Sequence, residues 1–319
     1  MKLGFVSDSL GGMSFKDLLA HAERMGVSGI EVNTGGWSTA PHFDLAQMKE
    51  SAQARSHFLQ AFSERGLEVI SLNANGNPLH PTDKKQGICL HATIRVAGEM
   101  GIKKVCTMSG LPAGNANDTM PNWIVASWPP ETQTILRYQW EDVLFPFWTE
   151  TVALAKQSGV EQIALELHGS QCVYNVPSLF KLRKEVGNVV GANLDPSHLF
   201  WMGADPLIAA EALGEAVQHV HAKDTFLNAP VQATTSLLEN GSLMDIPARS
   251  WSYITLGFGH GEEWWRQFCY RLKMGGYDGW LSIEHEDVLL NSLEGLEKSV
   301  DLLKKVMPVA ASDFKPQAI

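Results

Sequence analysis

Gly191-Ala-Asn-Leu-Asp-Pro-Ser-His198 and His219-Val-His-Ala-Lys-Asp224 are the two stretches that decide the fold. In each, a short apolar run ends in side chains that can bind a metal ion, which is typical of a buried parallel strand with functional groups at its C-terminal end. Alternate residues of a strand share a face, so Asn193 points to the same side as Asp195, and the two histidines of the second stretch point together. Buried Asp side chains need a partner of opposite charge, and a divalent cation is the simplest partner for two neighbouring strand ends.

The composition predicts a globular protein that acts on small molecules. The chain has 319 residues, of which 45% are hydrophobic, and this is enough for the core of one large α/β domain. Its formal charge of -10 provides no basic surface for a phosphate backbone, so nucleic acid is not an expected partner.

The sequence has neither a signal peptide pattern nor an apolar run of about 18 residues, so we expect no membrane contact and a cytoplasmic location. Its four cysteines are scattered without a CxxC pair, which favours reduced thiols in the core.

Short apolar runs alternate with amphipathic helical patterns along the whole chain. The predicted strands cover 3–7, 28–32, 67–73, 103–108, 161–167, 189–195, 216–221 and 279–284, and the predicted helices cover 14–26, 44–65, 83–100, 137–158, 177–186, 205–213, 261–274 and 292–306. Eight such units are the content of a (β/α)8 TIM barrel, whose active site lies at the C-terminal strand ends. A doubly wound sheet is the alternative, but the Gly-rich motif of nucleotide-binding folds is absent after the first strand. We therefore predict one TIM-barrel domain over residues 1–319, with irregular excursions at about 109–136 and 225–258 above the C-terminal face.

Metal-competent side chains follow the last four predicted strands. One such residue alone is more often a hydrogen-bonded surface residue, but four adjacent strand ends in register favour a site. Three carboxylates and one imidazole form an oxygen-rich donor set that suits Mn²⁺, Mg²⁺ or Co²⁺, with Zn²⁺ as an alternative, and leave positions for substrate oxygens. The polar residues at these strand ends are Glu166, His168, Asp195, His198, His221, Lys223 and Glu284.

These strand ends resemble those of a known family, the xylose-isomerase-like TIM-barrel superfamily of sugar and sugar-phosphate isomerases and epimerases, which also contains endonuclease IV. The resemblance implies that one divalent ion, often Mn²⁺ in that family, is bound by four residues, and that the two glutamates among them also transfer a proton on a hydroxyketone. It further implies that His198 contacts the substrate or, as in the endonuclease branch, a second metal ion. The residues implied as metal ligands are Glu166, Asp195, His221 and Glu284, and the motifs that carry the resemblance are Asp195-x-x-His198, His221-Ala-Lys-Asp224 and Gly257-Phe-Gly259.

The chain departs from the endonuclease branch of that superfamily. Its third and fourth strand ends, Asn73-Ala-Asn75 and Thr107-Met-Ser-Gly110, lack the pair of histidines that the trinuclear zinc cluster needs. His80 lies in a loop beyond Asn73 and is a poor substitute. DNA repair is therefore disfavoured. Asn73, Asn75 and His80 are instead expected to bond substrate hydroxyls, and the alternative, at least as well supported, is that Asn75-Gly-Asn77-Pro78 is only a turn.

Proton transfer next to a carbonyl is the chemistry that this donor set favours. A divalent ion that chelates a ketone and the adjacent hydroxyl stabilises the enediolate formed when the proton between them is removed. Glu166 and Glu284 are the candidate bases, and His168 is the third, since its ordinary pKa of about 6.5 suits proton transfer near neutrality. A purely structural His168 is an equal alternative. Lys223 is expected either to neutralise an oxyanion or to be solvated, and Asp224 to orient a metal-binding histidine.

Substrate recognition rests on aromatic side chains. Trp123 and Trp201 fall in predicted loops or just past a strand end, where aromatic faces pack against sugars, although packing in the core is the alternative. No arginine or Gly-rich loop stands at a predicted strand end to bind phosphate. A free sugar, keto-sugar or glycoside is therefore favoured over a sugar phosphate.

The sequence leaves three functions open. The favoured one is a metal-dependent isomerase or epimerase that acts on a ketose or keto-sugar through a metal-bound enediolate. The second is a lyase or dehydratase that ends the same enediolate by β-elimination from a keto-sugar or 3-keto-glycoside, with His168 protonating the leaving group. The third is a non-catalytic sugar-binding subunit. A homo-oligomer is left open, since the two long excursions could serve as lids or as subunit contacts.

Overall fold

The chain folds around a closed barrel of parallel strands. The computed structural model describes residues 1–314. Eight strands stand around the barrel in an order that follows the chain, and the last of them closes against the first. This confirms the predicted TIM barrel. The strands are β1 (Lys2–Val6), β2 (Gly29–Asn33), β3 (Glu68–Asn73), β4 (Lys104–Thr107), β5 (Gln162–Glu166), β6 (Val190–Leu194), β7 (Val217–Ala222), β8 (Asp224–Leu227), β9 (Trp251–Ile254) and β10 (Trp280–Ile283), of which β8 and β9 lie outside the barrel.

Helices cover the outside of the barrel, and their apolar faces pack against the strands in one continuous core in which Trp148, Trp265 and Phe268 are fully buried. No helix within residues 1–314 is long and apolar enough to cross a membrane. All four cysteines are free, and only Cys89 is partly exposed. The helices are α1 (Phe15–Met25), α2 (Leu45–Glu50), α3 (Ala52–Ser63), α4 (Lys85–Glu99), α5 (Glu131–Arg137), α6 (Phe145–Ser158), α7 (Val176–Val186), α8 (Pro196–Trp201), α9 (Pro206–Leu213), α10 (Ala229–Thr235), α11 (Glu262–Met274) and α12 (Ser292–Val306).

Two predicted helices differ from the observed ones. The predicted helix 44–65 is divided into α2 and α3, because Ser51 is extended and its side chain accepts the Ala54 N–H, which starts a new helix. The predicted helix 137–158 is preceded by α5 and interrupted by a π-helical segment, Tyr138–Leu144, before α6. Pro146 has no N–H to donate to the preceding turn, so the regular hydrogen-bond ladder cannot continue there.

The excursion predicted as irregular over 225–258 contains regular structure. Its two ends pair as the antiparallel hairpin of β8 and β9, in which Asp224 stands opposite Ile254 and Leu227 opposite Trp251. Helix α10 lies between the two strands. The hairpin was missed because more than twenty residues separate its strands, so no local turn signal marks their pairing. Of the other predicted excursion, 109–136, residues 109–130 contain neither helix nor strand, whereas residues 131–136 belong to α5 and were wrongly predicted as irregular.

A polar layer lies one step below the C-terminal ends of three neighbouring barrel strands. Asn193 of β6 stands beside both Glu166 and His219, and Ser282 of β10 stands beside His221. Asn193, His219 and Ser282 are fully buried. Polar side chains therefore continue downwards into the barrel beneath the predicted ligands instead of stopping at its rim.

Gly191 sets the close approach of β6 to β7, the two strands that carry Asp195 and His221. A Cβ atom at this position would lie 2.7 Å from the Ala216 carbonyl oxygen and would also meet the Gln218 side chain. Because a backbone atom cannot yield as a flexible side chain can, we expect Gly191→Ala to lower the free energy of unfolding by about 1–3 kcal/mol. Denaturant unfolding measures this loss. Gly12→Ala is the control, since no atom lies within 4 Å of its added Cβ, and equal stability of the two variants would contradict the explanation.

Candidate metal and substrate site

The four predicted metal ligands converge at the C-terminal end of the barrel. One nitrogen or oxygen atom from each lies within 4.8 Å of the corresponding atom of every other. Glu166 ends β5, Asp195 follows β6 and caps the start of α8, His221 lies near the end of β7, and Glu284 follows β10. The first three are buried and Glu284 is partly exposed. Residues distant in the chain therefore share one space, as the strand-end rule requires.

The spacing of these atoms fits a single cation. His221 Nδ1 lies 3.4 Å from Glu166 Oε2 and 3.5 Å from Glu284 Oε2. Ligand atoms at about 2.1 Å from one ion are separated by about 3.0–3.4 Å in octahedral or tetrahedral geometry. His221 Nδ1 and Asp195 Oδ2 are also buried without a hydrogen-bond partner. A bound cation would satisfy both atoms, so the residues present fit a divalent metal ion.

Glu31, which the sequence pattern did not single out, holds the far side of the His221 ring. Its carboxylate lies 3.1 Å from His221 Nε2 and 2.6 Å from His219 Nε2, and it is fully buried. An ionised carboxylate only accepts hydrogen bonds, so Nε2 of His221 carries the proton. Its Nδ1 is then left facing Glu166 and Glu284.

His198 lies between two of the candidate ligands. Its Nε2–H donates to Glu166 Oε1 at 2.6 Å, and Nε2 lies 3.2 Å from Asp195 Oδ2. The Tyr253 hydroxyl lies 3.0 Å from the other ring nitrogen, Nδ1. Burial opposes the charged form of His198, but the neighbouring Asp195 and Glu166 carboxylates outweigh it and raise the pKa of His198 to about 9.

His168 is a neutral imidazole at the edge of the same cluster. Its ring lies edge-on to that of His198, with centroids 4.1 Å apart, and its Nδ1–H donates to the Gly169 carbonyl oxygen. Burial and the positive charge of His198 lower the pKa of His168 to about 4. The second nitrogen, Nε2, therefore has a free lone pair.

Lys223 is a buried counter-ion, so the alternative of a solvated lysine is wrong. Its Nζ donates to Glu284 Oε2 at 2.9 Å, pairs with Glu286, and stands 4.1 Å above the centre of the Tyr253 ring. Burial disfavours ionised Glu284, but the charge of the neighbouring Lys223 is the largest contribution that outweighs it, and the pKa of Glu284 is lowered to about 2.

A cavity of about 260 Å³ opens directly above these side chains. Ligand sites for larger, drug-sized molecules range from about 300 to 1,000 Å³, so this volume suits a single sugar unit. Six of the predicted residues line it, together with several that the sequence did not suggest. The predicted ones are Asn75, Glu166, His168, His198, Lys223 and Glu284, and those not predicted include Asp8, Asn33 and Tyr253.

Two residues predicted to bind substrate hydroxyls lie outside this cavity. Asn73 is fully buried, donates to Glu31 Oε1 at 2.7 Å and accepts the Asn75 N–H. Asn75, its neighbour but one, reaches the site, since its amide donates to Glu166 Oε2 at 2.5 Å. His80 accepts the Asp83 N–H at 3.0 Å in the turn before α4. His80 therefore belongs to the hydrogen bonds of this turn and does not line the cavity.

The two predicted tryptophans also stand behind the cavity wall. Trp201 is buried and stacks on Trp251, and its Nε1 lies 3.5 Å from His198 Nδ1. Trp123 meets the edges of Trp201 and Tyr174 and borders a different groove, of about 570 Å³. Trp37 is the tryptophan that lines the 260 Å³ cavity.

Asp224 does not orient a metal-binding histidine, contrary to the sequence-based expectation. Its buried carboxylate accepts the backbone N–H groups of residues 257, 259 and 260 and bonds His260 Nδ1 at 2.7 Å. It therefore fixes the turn before α11 to the end of β7. Asp224 follows His221 closely in sequence, but the carboxylate that contacts that ring comes from β2, 190 positions away, and no local pattern could indicate it.

Comparison with known proteins places the chain in a family. A relative in Bacillus subtilis (strain 168), the uncharacterized protein YfiH, is 46% identical over 311 residues, which cover 96% of this chain and 99% of that protein. Among solved structures, the probable 3-DHS dehydratase AsbF of Bacillus anthracis is 18% identical with a TM-score of 0.66, over 95% of this chain and 99% of that one. The IOLI protein with a bound zinc atom is also 18% identical with a TM-score of 0.66, over 97% and 100%. A D-tagatose 3-epimerase-like protein is 19% identical with a TM-score of 0.62, over 96% and 98%.

At such identities the likeness to solved structures shows the fold, and the family assignment rests on the sequence. The family model described as a xylose isomerase-like TIM barrel matches residues 19–306, which is most of the chain. This protein therefore belongs to the xylose isomerase-like TIM barrel family.

Proposed function

We propose that this protein is a divalent-metal-dependent isomerase or epimerase of a ketose or keto-sugar. The observation that carries the proposal is the convergence of three carboxylates and one imidazole, with two ligand atoms left unsatisfied, at the floor of a cavity sized for one sugar unit. Family membership and the epimerase-like structural neighbour support the same reaction class. The proposed substrate is a small carbohydrate; a cytoplasmic location and a homo-oligomer stay predictions from the sequence.

The proposed metal ligands are Glu166, Asp195, His221 through Nδ1, and Glu284. Mn²⁺ is our first choice because the donor set is rich in carboxylate oxygen, and Mg²⁺, Co²⁺ or Zn²⁺ would suit the same atoms. The zinc atom bound to the IOLI neighbour supports a divalent ion in a protein of this fold. When bound, such an ion stabilises negative charge on substrate oxygens next to the carbon that loses its proton.

Two groups in the cavity are free to carry that proton. Both carboxylate oxygens of Glu166 already accept hydrogen bonds, from His198 and from Asn75. Glu284 uses only Oε2 for Lys223, so its Oε1 has no hydrogen-bond donor among the described residues. His168 Nε2 is likewise free. Epimerisation with two bases needs one group that accepts the proton on one face of the carbon and one that, in its protonated form, donates a proton on the other face, so we assign Glu284 and His168 as this pair and Glu166 chiefly as a ligand.

A lyase that acts by β-elimination is the second candidate, and His168 is the observation that favours it. A free imidazole nitrogen beside the cavity could return its proton to a leaving oxygen as readily as to carbon. The probable dehydratase AsbF shares the fold. Both reactions begin with the same proton removal, so the fate of the resulting carbanion separates them.

Isotope exchange tests the proposed reaction. Protein loaded with Mn²⁺ is incubated in D₂O with a panel of free ketoses and keto-sugars, and the products are followed by mass spectrometry and NMR. We expect an isomer that has gained one deuterium on carbon. Loss of water or of an aglycone would favour the lyase instead. Unchanged spectra across the panel would contradict both reactions and favour a non-catalytic sugar-binding role.

The ligand assignment predicts the loss of metal in two variants. Glu166→Gln and Asp195→Asn each remove a buried negative charge from the ligand set. Residues that only orient a ligand contribute about 10- to 100-fold in metal affinity, so we expect the loss of a ligand to lower Mn²⁺ affinity by more than about 100-fold. Elemental analysis after dialysis measures the bound metal, and circular dichroism checks that the fold is kept. Normal metal content in both folded variants would show that the ligand set is wrong.

The role of His168 predicts a separation of metal binding from turnover. His168→Gln keeps the hydrogen bond to the Gly169 carbonyl within reach but removes the proton acceptor, so we expect normal metal content and a kcat lower by about 10²- to 10⁴-fold. Steady-state kinetics on the substrate found in the exchange experiment measures this change. A variant with wild-type turnover would return His168 to a structural role.

A further inference from the structure

Glu31 is a charged residue in the interior of the barrel, two positions before Asn33, which lines the cavity. It lies on β2, yet its carboxylate reaches two histidines of β7, although β1 and β10 lie between these strands around the barrel. It is fully buried, as are His219, His221 and Asn73 around it. Glu31 does not line the 260 Å³ cavity, so contact with the substrate does not explain it.

Burial of this carboxylate needs compensation. An ionised carboxylate removed from water loses several kcal/mol of hydration, and only well-placed donors offset that loss. Glu31 has three such donors, which are His219 Nε2 at 2.6 Å, His221 Nε2 at 3.1 Å and Asn73 Nδ2 at 2.7 Å. A hydrophobic residue of the same volume would need no hydrogen-bond donors to offset lost hydration. Stability alone therefore does not explain the charge, which points to a function.

The hydrogen bond between His221 Nε2 and Glu31 determines which ring nitrogen of His221 carries the proton. The form of imidazole that binds a metal ion is neutral and carries its proton on one nitrogen only, and Glu31 draws that proton to Nε2. The lone pair of Nδ1 then faces Glu166 Oε2 and Glu284 Oε2, at 3.4 and 3.5 Å. With the proton on Nδ1 instead, the N–H group would occupy the space between these carboxylates and block a cation.

We propose that Glu31 is the positioning residue of the metal site: it fixes the ring and the tautomer of His221, while His219 and Asn73 hold the Glu31 carboxylate in place. This role rests on the metal site of the proposed function and extends it to a strand that supplies no ligand. His219 donates one hydrogen bond to Glu31 through Nε2, and its Nδ1 has no hydrogen-bond partner. It therefore stabilises the Glu31 carboxylate and is not a proposed metal ligand.

Metal affinity tests this role without any measurement of turnover. Glu31→Gln keeps the size of the side chain but removes the charge, and partners that orient metal-binding histidines typically contribute about 10- to 100-fold in affinity. We expect Mn²⁺ to bind more weakly by that factor, as measured by electron paramagnetic resonance of the free ion. Asp224→Asn is the matched control, a buried carboxylate close to His221 that bonds the 257–260 turn instead, and it should keep wild-type affinity.

The outcomes separate this inference from the proposed function. If Glu31→Gln binds Mn²⁺ as the wild type does while Glu166→Gln does not, the role of Glu31 is refuted and the metal site stands. If Asp224→Asn weakens binding as much as Glu31→Gln, the effect is a general consequence of lost buried charge and the role is also refuted. If the wild type binds no divalent ion, the proposed function itself fails.

A measurement on the wild type covers the case in which Glu31→Gln does not fold. Protein labelled with ¹⁵N-histidine and loaded with Zn²⁺, which gives no paramagnetic broadening, is studied by long-range ¹H–¹⁵N correlation spectra. We expect His221 to carry its proton on Nε2 and to coordinate through Nδ1. A His221 ring protonated on Nδ1, or coordinated through Nε2, would overturn the proposal.

Discussion

The mutual repulsion of buried carboxylates is the constraint on which this end of the barrel depends. Glu166, Asp195 and Glu284 approach one another closely in a space that water barely reaches. In such surroundings each charge must be balanced by a neighbour of opposite sign or by a cation. Lys223 and His198 balance part of this charge, and among the four candidate ligands His221 Nδ1 and Asp195 Oδ2 are left buried without a hydrogen-bond partner. The site is thus arranged around positive charge that the side chains alone do not fully supply.

This constraint extends to the strands that contribute no ligand. Asn75 from the loop after β3 fixes one oxygen of Glu166, and Glu31 from β2 fixes the His221 ring. Tyr253, from the hairpin outside the barrel, reaches His198. Each of these contacts fixes the orientation of a ligand or of a residue that bonds a ligand. The ligands are therefore held with few alternative orientations, which lowers the cost of ordering them when a cation binds.

The sequence was informative where chemistry follows the register of a single strand. Glu166, Asp195, His221 and Glu284 could be predicted because each occupies the end of an apolar run, and parallel strands of a barrel bring such ends together. Glu31 could not be predicted, since its neighbours on β2 are apolar and its partners lie on β7, across the barrel. Trp123 and His80 were expected at the cavity because they follow strands in loops, but a loop gives no fixed direction to its side chains. A pattern along the chain thus predicts what a strand presents, and it does not predict which residues meet across the barrel.

The charge of the cavity also bears on the proposed substrate. Asp8 and Glu286 line it in addition to the ligand carboxylates, so five carboxylates surround the cavity floor when Asp195 beneath it is included. Lys223 and the protonated His198 are the cations among its described lining residues, and one divalent ion would bring the positive charges to four against these five carboxylates. Negative charge then remains in excess, and a phosphate group, which carries close to two negative charges near neutrality, would be repelled in a space with little water to screen it. Neutral hydroxyls, by contrast, can donate to these carboxylates, and a sugar offers many of them. The same excess of negative charge that requires a cation therefore favours an uncharged carbohydrate beside it.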